Sequence, residues 1–223
     1  PAERIAGLIP FESGSSASLF RCVIKRPEPL RMEVNGDIHT NAPDVITQFL
    51  AELRVYRSVG RHHNIAGFVG CIPGVGMVLE QIEGQTLLPR IRAQPPAAVR
   101  VSWYNQLLDG LAHIHSFDLS HGDLNTLNII VTPSDTIKLI DFGRSVGALE
   151  KPQVCSRPFT SPELLRGDRA DGLLCDAYAL GMLLVCIDMG DLVDVDPAIQ
   201  RKNEWAPDYD QLKLFASRVK GYL

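Results

Sequence analysis

The stretch His121-Gly122-Asp123-Leu124-Asn125-Thr126-Leu127-Asn128 places a carboxylate, Asp123, five residues before an amide, Asn128. A second carboxylate, Asp141, follows eighteen residues after Asp123, in the triplet Asp141-Phe142-Gly143. Oxygen donors of these kinds suit a hard cation such as magnesium, which takes one or two carboxylates and fills its remaining positions with phosphate oxygens and water. A remaining carboxylate can orient a hydroxyl and accept its proton. Phosphoryl transfer needs this combination, because positioning and charge neutralisation supply most of its catalysis. The pattern G-x-x-x-x-G-K-[ST] does not occur, which excludes a Walker-type ATPase.

These residues need elements to hold them. A long helix carrying Trp103, Leu107, Leu111 and Ile114 on one stripe runs up to the loop. The β-branched runs Asn128–Thr132 and Ile137–Ile140 flank Pro133-Ser134-Asp135-Thr136, a hairpin signal that leads to Asp141. Leu173–Ile187 is apolar nearly all round, as expected of a helix buried on every side. Upstream, the first 40 residues read as strands and turns, with strand, loop, strand over Glu12–Ile24, and the three prolines of residues 27–43 argue against helix. A helix is predicted from an N-cap at Asp44 to Gly60, with Ile46, Phe49, Leu50, Leu53 and Tyr56 as its apolar stripe. Ile65–Cys71 and Gly76–Gln81 read as strands around a Pro73-Gly74 turn. The chain is thus strand-rich with one helix up to about Glu80–Gly84, and mainly helical beyond.

A length of 223 residues allows one large domain or two small lobes. Hydrophobic residues at 45%, charged residues at 22% and a net charge of −4 argue against disorder and against nucleic acid as partner. Asp176 and Asp188 interrupt the longest apolar run, so no membrane span is expected. Five widely spaced cysteines without a C-x-x-C pair read as reduced thiols. With no leader visible, a cytoplasmic or nuclear protein is expected. His62-His63 lacks the further ligands a metal site needs, and His113 and His115 do not share a helix face.

Over nearly the whole chain, from about Ile9 to Leu223, the sequence resembles the eukaryotic protein kinase family. The catalytic loop His121–Asn128, the triplet Asp141-Phe142-Gly143, the triplet Ser161-Pro162-Glu163 and the helix start Asp176-Ala177-Tyr178-Ala179-Leu180-Gly181 occur in the family's order. The resemblance implies an α+β fold of two lobes in one domain, residues 1–82 as a small antiparallel β lobe with one helix and 83–223 as a mainly helical lobe. It implies transfer of the γ-phosphoryl group of ATP to a protein hydroxyl. Asp123 would be the catalytic base, with Asn125 beside it, and Asn128 and Asp141 would hold magnesium. ATP would meet Gly14, Lys25, Glu52 and the hinge Glu80-Gln81-Ile82 behind the gatekeeper Leu79. Lys25 would ion-pair with Glu52. Tyr56, Phe68, His121 and Phe142 would form a spine linking the lobes, and Asp176 would hold the catalytic-loop backbone. A hydroxyl at Ser156 bonding the base would favour serine and threonine substrates. A monomer is expected.

Departures from the pattern keep other readings open. Glu12–Leu19 retains only Gly14 of the family's glycines, and Lys25 follows Leu19 after six residues. Gly122 replaces an arginine that meets an activation-segment phosphate, so switching of that kind is not expected. Asn125 replaces a lysine that touches the transferred phosphate, leaving less charge neutralisation. The arginine that would pair with Glu163 belongs to a late helix expected to be missing, which would leave a buried carboxylate unpaired. A non-catalytic nucleotide-binding or scaffold module, and a small-molecule phosphotransferase of the aminoglycoside or choline kinase type, are the alternatives.

Overall fold

A computed structural model describes residues 10–35, 37–193, 195, 196 and 200. The outer limits of the resemblance and the expectation about the late helix lie outside them. The small lobe begins with a hairpin of β1 (Glu12–Ser13) and β2 (Ser18–Leu19), closed by the Gly14 N–H on the Ala17 carbonyl at 2.7 Å. β3 (Cys22–Lys25) follows after two residues but belongs to a different sheet. It pairs antiparallel with β7 (Gly76–Glu80), which pairs antiparallel with β6 (Phe68–Ile72). The short spacing from Leu19 to Lys25 is therefore a truncated connection into the correct strand. Gly76 is required here: a Cβ would fall inside 3.0 Å of the Lys25 carbonyl across the β3–β7 pair.

Residues 27–41 hold no helix, in line with their prolines, but they form a second hairpin of β4 (Arg31–Val34) and β5 (Asp37–Thr40). Helix α1 (Ala42–Val59) starts earlier than an N-cap at Asp44 predicts, because Pro43 is tolerated in a first turn. The side-chain oxygen of the preceding residue, Asn41, accepts the Leu30 N–H (2.7 Å), tying the helix start to the hairpin. The buried face also differs from the predicted stripe. Glu52, Val55, Tyr56 and Val59 point inward, whereas Ile46 and Leu50 are about half exposed. The helix is rotated so that one carboxylate reaches the interior, where Lys25 compensates it.

The large lobe contains α2 (Leu87–Arg92), α3 (Ala97–His115), a three-stranded antiparallel sheet ordered β10 (Ile137–Leu139), β9 (Ile129–Val131), β8 (Gln85–Thr86), then α4 (Pro162–Arg166) and α5 (Gly172–Met189). The α3 stripe Trp103, Leu107, Leu111 and Ile114 is buried as its spacing predicts. Burying one such side chain contributes about 1.5–3 kcal/mol. Helix α5 is capped by Asp171, whose Oδ1 accepts the Leu173 N–H at 2.8 Å. It is buried along its centre only. Within Leu173–Ile187, Leu174 is about 70% exposed and Ala177 is exposed as well, so the expectation of burial on every side fails at those positions. Its length and mean hydropathy of 1.7 would suffice for a membrane crossing, but half of it packs inside the lobe. Its central Asp176 is bonded to a loop of the same lobe, as in the core helix of a folded domain. Glu163 is exposed on α4, so the expected buried, unpaired carboxylate is not found. The architecture is the two-lobed α+β arrangement that the resemblance implies.

Candidate active site

Between the lobes lies a cavity of about 580 Å³ lined by β3, α1, the end of β7, Ile130 and Asp141. Lys25 Nζ stands 2.5 Å from Glu52 Oε2 and 2.9 Å from Asp141 Oδ1. The β3–β7 register, with Lys25 opposite Met77, points the lysine toward α1. Burial alone would lower the Lys25 ammonium, but the two carboxylates raise it above its ordinary range. Burial lifts Glu52 above the usual carboxylate range despite the pull of Lys25. Burial would lift Asp141 too, but Lys25 and the Gly143 N–H outweigh it and hold Asp141 low. Asp141 has a left-handed backbone at φ 62, a conformation costly for a residue with a Cβ and held here by those bonds.

The catalytic-type loop is fastened from below. Asp176 on α5 accepts the His121 N–H (2.6 Å), the Gly122 N–H (2.9 Å) and His115 Nε2 (2.9 Å). Asn128 Nδ2 donates to the Asp123 carbonyl at 2.8 Å, so the amide oxygen is the atom that would serve a cation. With ionised Asp141 this is one carboxylate and one amide oxygen, a donor set that fits magnesium carrying phosphate ligands. Among the described residues no cluster of three or more His, Cys, Asp or Glu forms an alternative metal site. Asp123 Oδ1 accepts the backbone N–H of Ser156 at 3.1 Å. The expected hydroxyl contact is thus made by the amide instead, which a proline at 156 would abolish.

Four aromatic rings bridge the lobes. Phe68 stacks on Tyr56 (5.6 Å between centroids), Tyr56 meets Phe142 edge-on (5.2 Å) and Phe142 meets His121 (5.0 Å). The expected spine is assembled, with Phe142 fully buried. Burial holds His121 below its ordinary value, against the attraction of Asp176.

Of the remaining expected site residues, Gly14 and Asn125 do not line the cavity, whereas Glu80 and Ile82 do. Gly14 sits at the β1–β2 turn, and among the described residues none of that hairpin lines the cavity. A Cβ at Gly14 would meet only the Ala17 carbonyl, at 3.7 Å, so nothing there demands glycine. Asn125 is buried, with its amide on the Asp123 carbonyl (3.0 Å) and its oxygen on the Leu127 N–H (2.8 Å). Both ends of its amide thus brace the loop backbone. Glu80 and Ile82 line the cavity, but the Glu80 N–H is bonded to Gly67 O (2.7 Å), and its carboxylate holds the Gly67 N–H (2.8 Å) and Lys138 (3.2 Å).

Residues 14–214 match the protein kinase domain family. The chain belongs to that family. This kinase domain is 26% identical over 176 residues to "Serine/threonine-protein kinase chk-1" of Caenorhabditis briggsae, which covers 73% of the chain and 34% of that protein. It is 28% identical over 189 residues to "CBL-interacting serine/threonine-protein kinase 24" of Arabidopsis thaliana, covering 79% and 42%. It is 31% identical over 110 residues to "Serine/threonine-protein kinase kin-29" of Caenorhabditis elegans, covering 48% and 13%. The kinase domain therefore spans less than half the length of these relatives.

Sequence reasoning missed one cation of the candidate site. Arg144 follows the Asp141-Phe142-Gly143 triplet. Its Nε lies 3.9 Å from Asp123 Oδ2, and its Nη1 donates to the Val154 carbonyl at 2.5 Å. Its place directly after the triplet was the available signal.

Proposed function

We propose that this kinase domain binds magnesium–ATP between its lobes and transfers the γ-phosphoryl group to a serine or threonine hydroxyl of a protein, residues 1–82 and 83–223 forming the lobes of one domain. The observation that carries the proposal is the joined group Lys25, Glu52 and Asp141, drawn from three separate elements onto one side of the cavity. Lys25 would hold the nucleotide phosphates, with Glu52 fixing its ammonium. Asp141 and Asn128 would hold the magnesium, which when bound neutralises phosphate charge as it transfers. Asp123, fixed by the Ser156 N–H, would orient the acceptor hydroxyl and take its proton. The names of the serine/threonine relatives support that acceptor class.

A second reading, a nucleotide-binding module without catalysis, is favoured by two observations. The Gly14 hairpin does not line the cavity, and Asn125 leaves the catalytic loop without the family's cation. A thermal-shift titration with ATP, with and without magnesium, tests the binding half on wild type and Asp141→Asn. A magnesium-dependent rise that Asp141→Asn weakens is expected, since a ligand of the folded state raises the midpoint by mass action. No rise at millimolar ATP from folded protein overturns it. Phosphate transfer to a mixed protein acceptor, lost in Asp123→Asn, is the expected result for catalysis. Binding without transfer leaves the module reading, and transfer only to small alcohols indicates a small-molecule phosphotransferase.

A further inference from the structure

The segment from Arg144 to Ser156 is bonded back to the large lobe through Val146 with Ser120 and Ala148 with Asp118, and three further ties hold it. Arg144 holds the Val154 carbonyl, and the Ser156 N–H meets Asp123. The third tie leads to the other lobe. Arg54 of helix α1 donates from Nη1 to Glu150 Oε1 (2.8 Å) and from Nη2 to the Ser145 carbonyl (3.0 Å). Glu150 Oε2 accepts the Gly147 N–H at 2.6 Å, so both oxygens of this carboxylate are engaged. Arg54 and that N–H hold the Glu150 carboxyl below the usual carboxylate range, which keeps it ionised at neutral pH. Gly122, where the family pattern has an arginine, cannot carry a side chain. Its φ is +82, and a Cβ would fall inside 3.0 Å of the Arg144 carbonyl.

We infer that Glu150 and Arg54 are positioning residues for the nucleotide site: a permanent carboxylate in the segment draws in helix α1 and so keeps Glu52 on Lys25 without phosphorylation. The inference rests on the reading of the cavity as a magnesium–ATP site. Arg54 lies two residues from Glu52 on the same helix, and a helix transmits displacement along its length as a rod. The pair is partly exposed, with side chains 37% and 51% accessible, so its leverage is modest and sensitive to salt.

The test uses Glu150→Arg, Arg54→Glu and the double charge exchange in the full chain. The probes are magnesium–ATP binding and amide hydrogen exchange over residues 48–56 and 145–150 without nucleotide. Each single variant is expected to weaken magnesium–ATP binding about fivefold, the scale of one exposed ion pair and its reversal. Each is also expected to speed exchange in both segments. The double exchange is expected to recover the ion-pair part of both losses, though not the bonds to the Ser145 carbonyl and the Gly147 N–H, and a general loss of packing would recover nothing. Wild-type exchange in the single variants, or a double variant no better than the singles, overturns the inference. If wild type itself shows no nucleotide response, the functional reading fails, and the exchange experiment still decides whether the pair fastens α1.

Discussion

Replacing Lys25 by Met keeps most of the aliphatic stem and removes the ammonium from between Glu52 and Asp141. Glu52 is then a carboxylate with a side chain 1% exposed and no cation beside it. Ionised burial of that kind is costly, so Glu52 takes up a proton instead. With an ordinary value of 4.5, protonating it costs at most about 3.4 kcal/mol at pH 7 and about 1.4 kcal/mol at pH 5.5, at 1.36 kcal/mol per unit. The sign follows from linkage. The folded variant binds a proton that the unfolded chain has released, so its stability falls as pH rises above 4.5. The destabilisation of Lys25→Met relative to wild type should therefore shrink by at most about 2 kcal/mol between pH 7 and pH 5.5, less the part that the already raised Glu52 of wild type shows itself. Urea unfolding at the two pH values, with midpoints converted through the slope m, measures it. Histidines titrate in both proteins and cancel in the difference. A deficit that stays constant with pH would refute the argument, since Glu52 would then have found another cation or water.

Gly122→Ala should lose about 1–2 kcal/mol from the left-handed backbone, and more as the Arg144 carbonyl is pushed off the loop; an unchanged urea midpoint would contradict this. Asp176→Ala strands the buried His121 N–H and the part-buried Gly122 N–H and should cost about 2–4 kcal/mol, read as a large fall in thermal midpoint. Stability should also drop as pH falls below 6.5. Buried His121 is held neutral in the fold while the unfolded chain protonates near that value, and His62 adds to the effect in the same direction. His121→Phe should flatten part of that slope in unfolding curves between pH 5 and 6.5; an unaltered slope would place the effect elsewhere.

Much of the site could be read from local chemistry. Asp123, Asn128 and Asp141 lie close in sequence around one hairpin, so short-range turn and strand signals place them together. The α3 stripe was legible because its buried residues repeat at 3.6 with no competing polar group. Helix α1 was harder, since its inward face carries Glu52, and a carboxylate reads as surface until its long-range partner Lys25 is known. The strand-and-turn character of the first 40 residues was legible too, and Asn35-Gly36 between alternating residues is the local signal for the β4–β5 hairpin. The Asn125 orientation and the Arg54–Glu150 tie depend on contacts that only the folded chain creates, the latter across 96 residues.

The uneven burial of the two lobes has a bearing on affinity. β1, β2 and β5 are exposed along their whole length, and β3 has only Lys25 partly covered, whereas Asp123 and Asn128 hang from a lobe whose central helix is anchored at Asp176. One half of the cleft is thus cheap to open and the other is not. Ligand affinity is discounted by the fraction of time the soft half is assembled. Substitutions that stiffen β3–β5 can then tighten nucleotide binding while leaving the bond-making groups untouched, so recognition and chemistry can drift apart under selection.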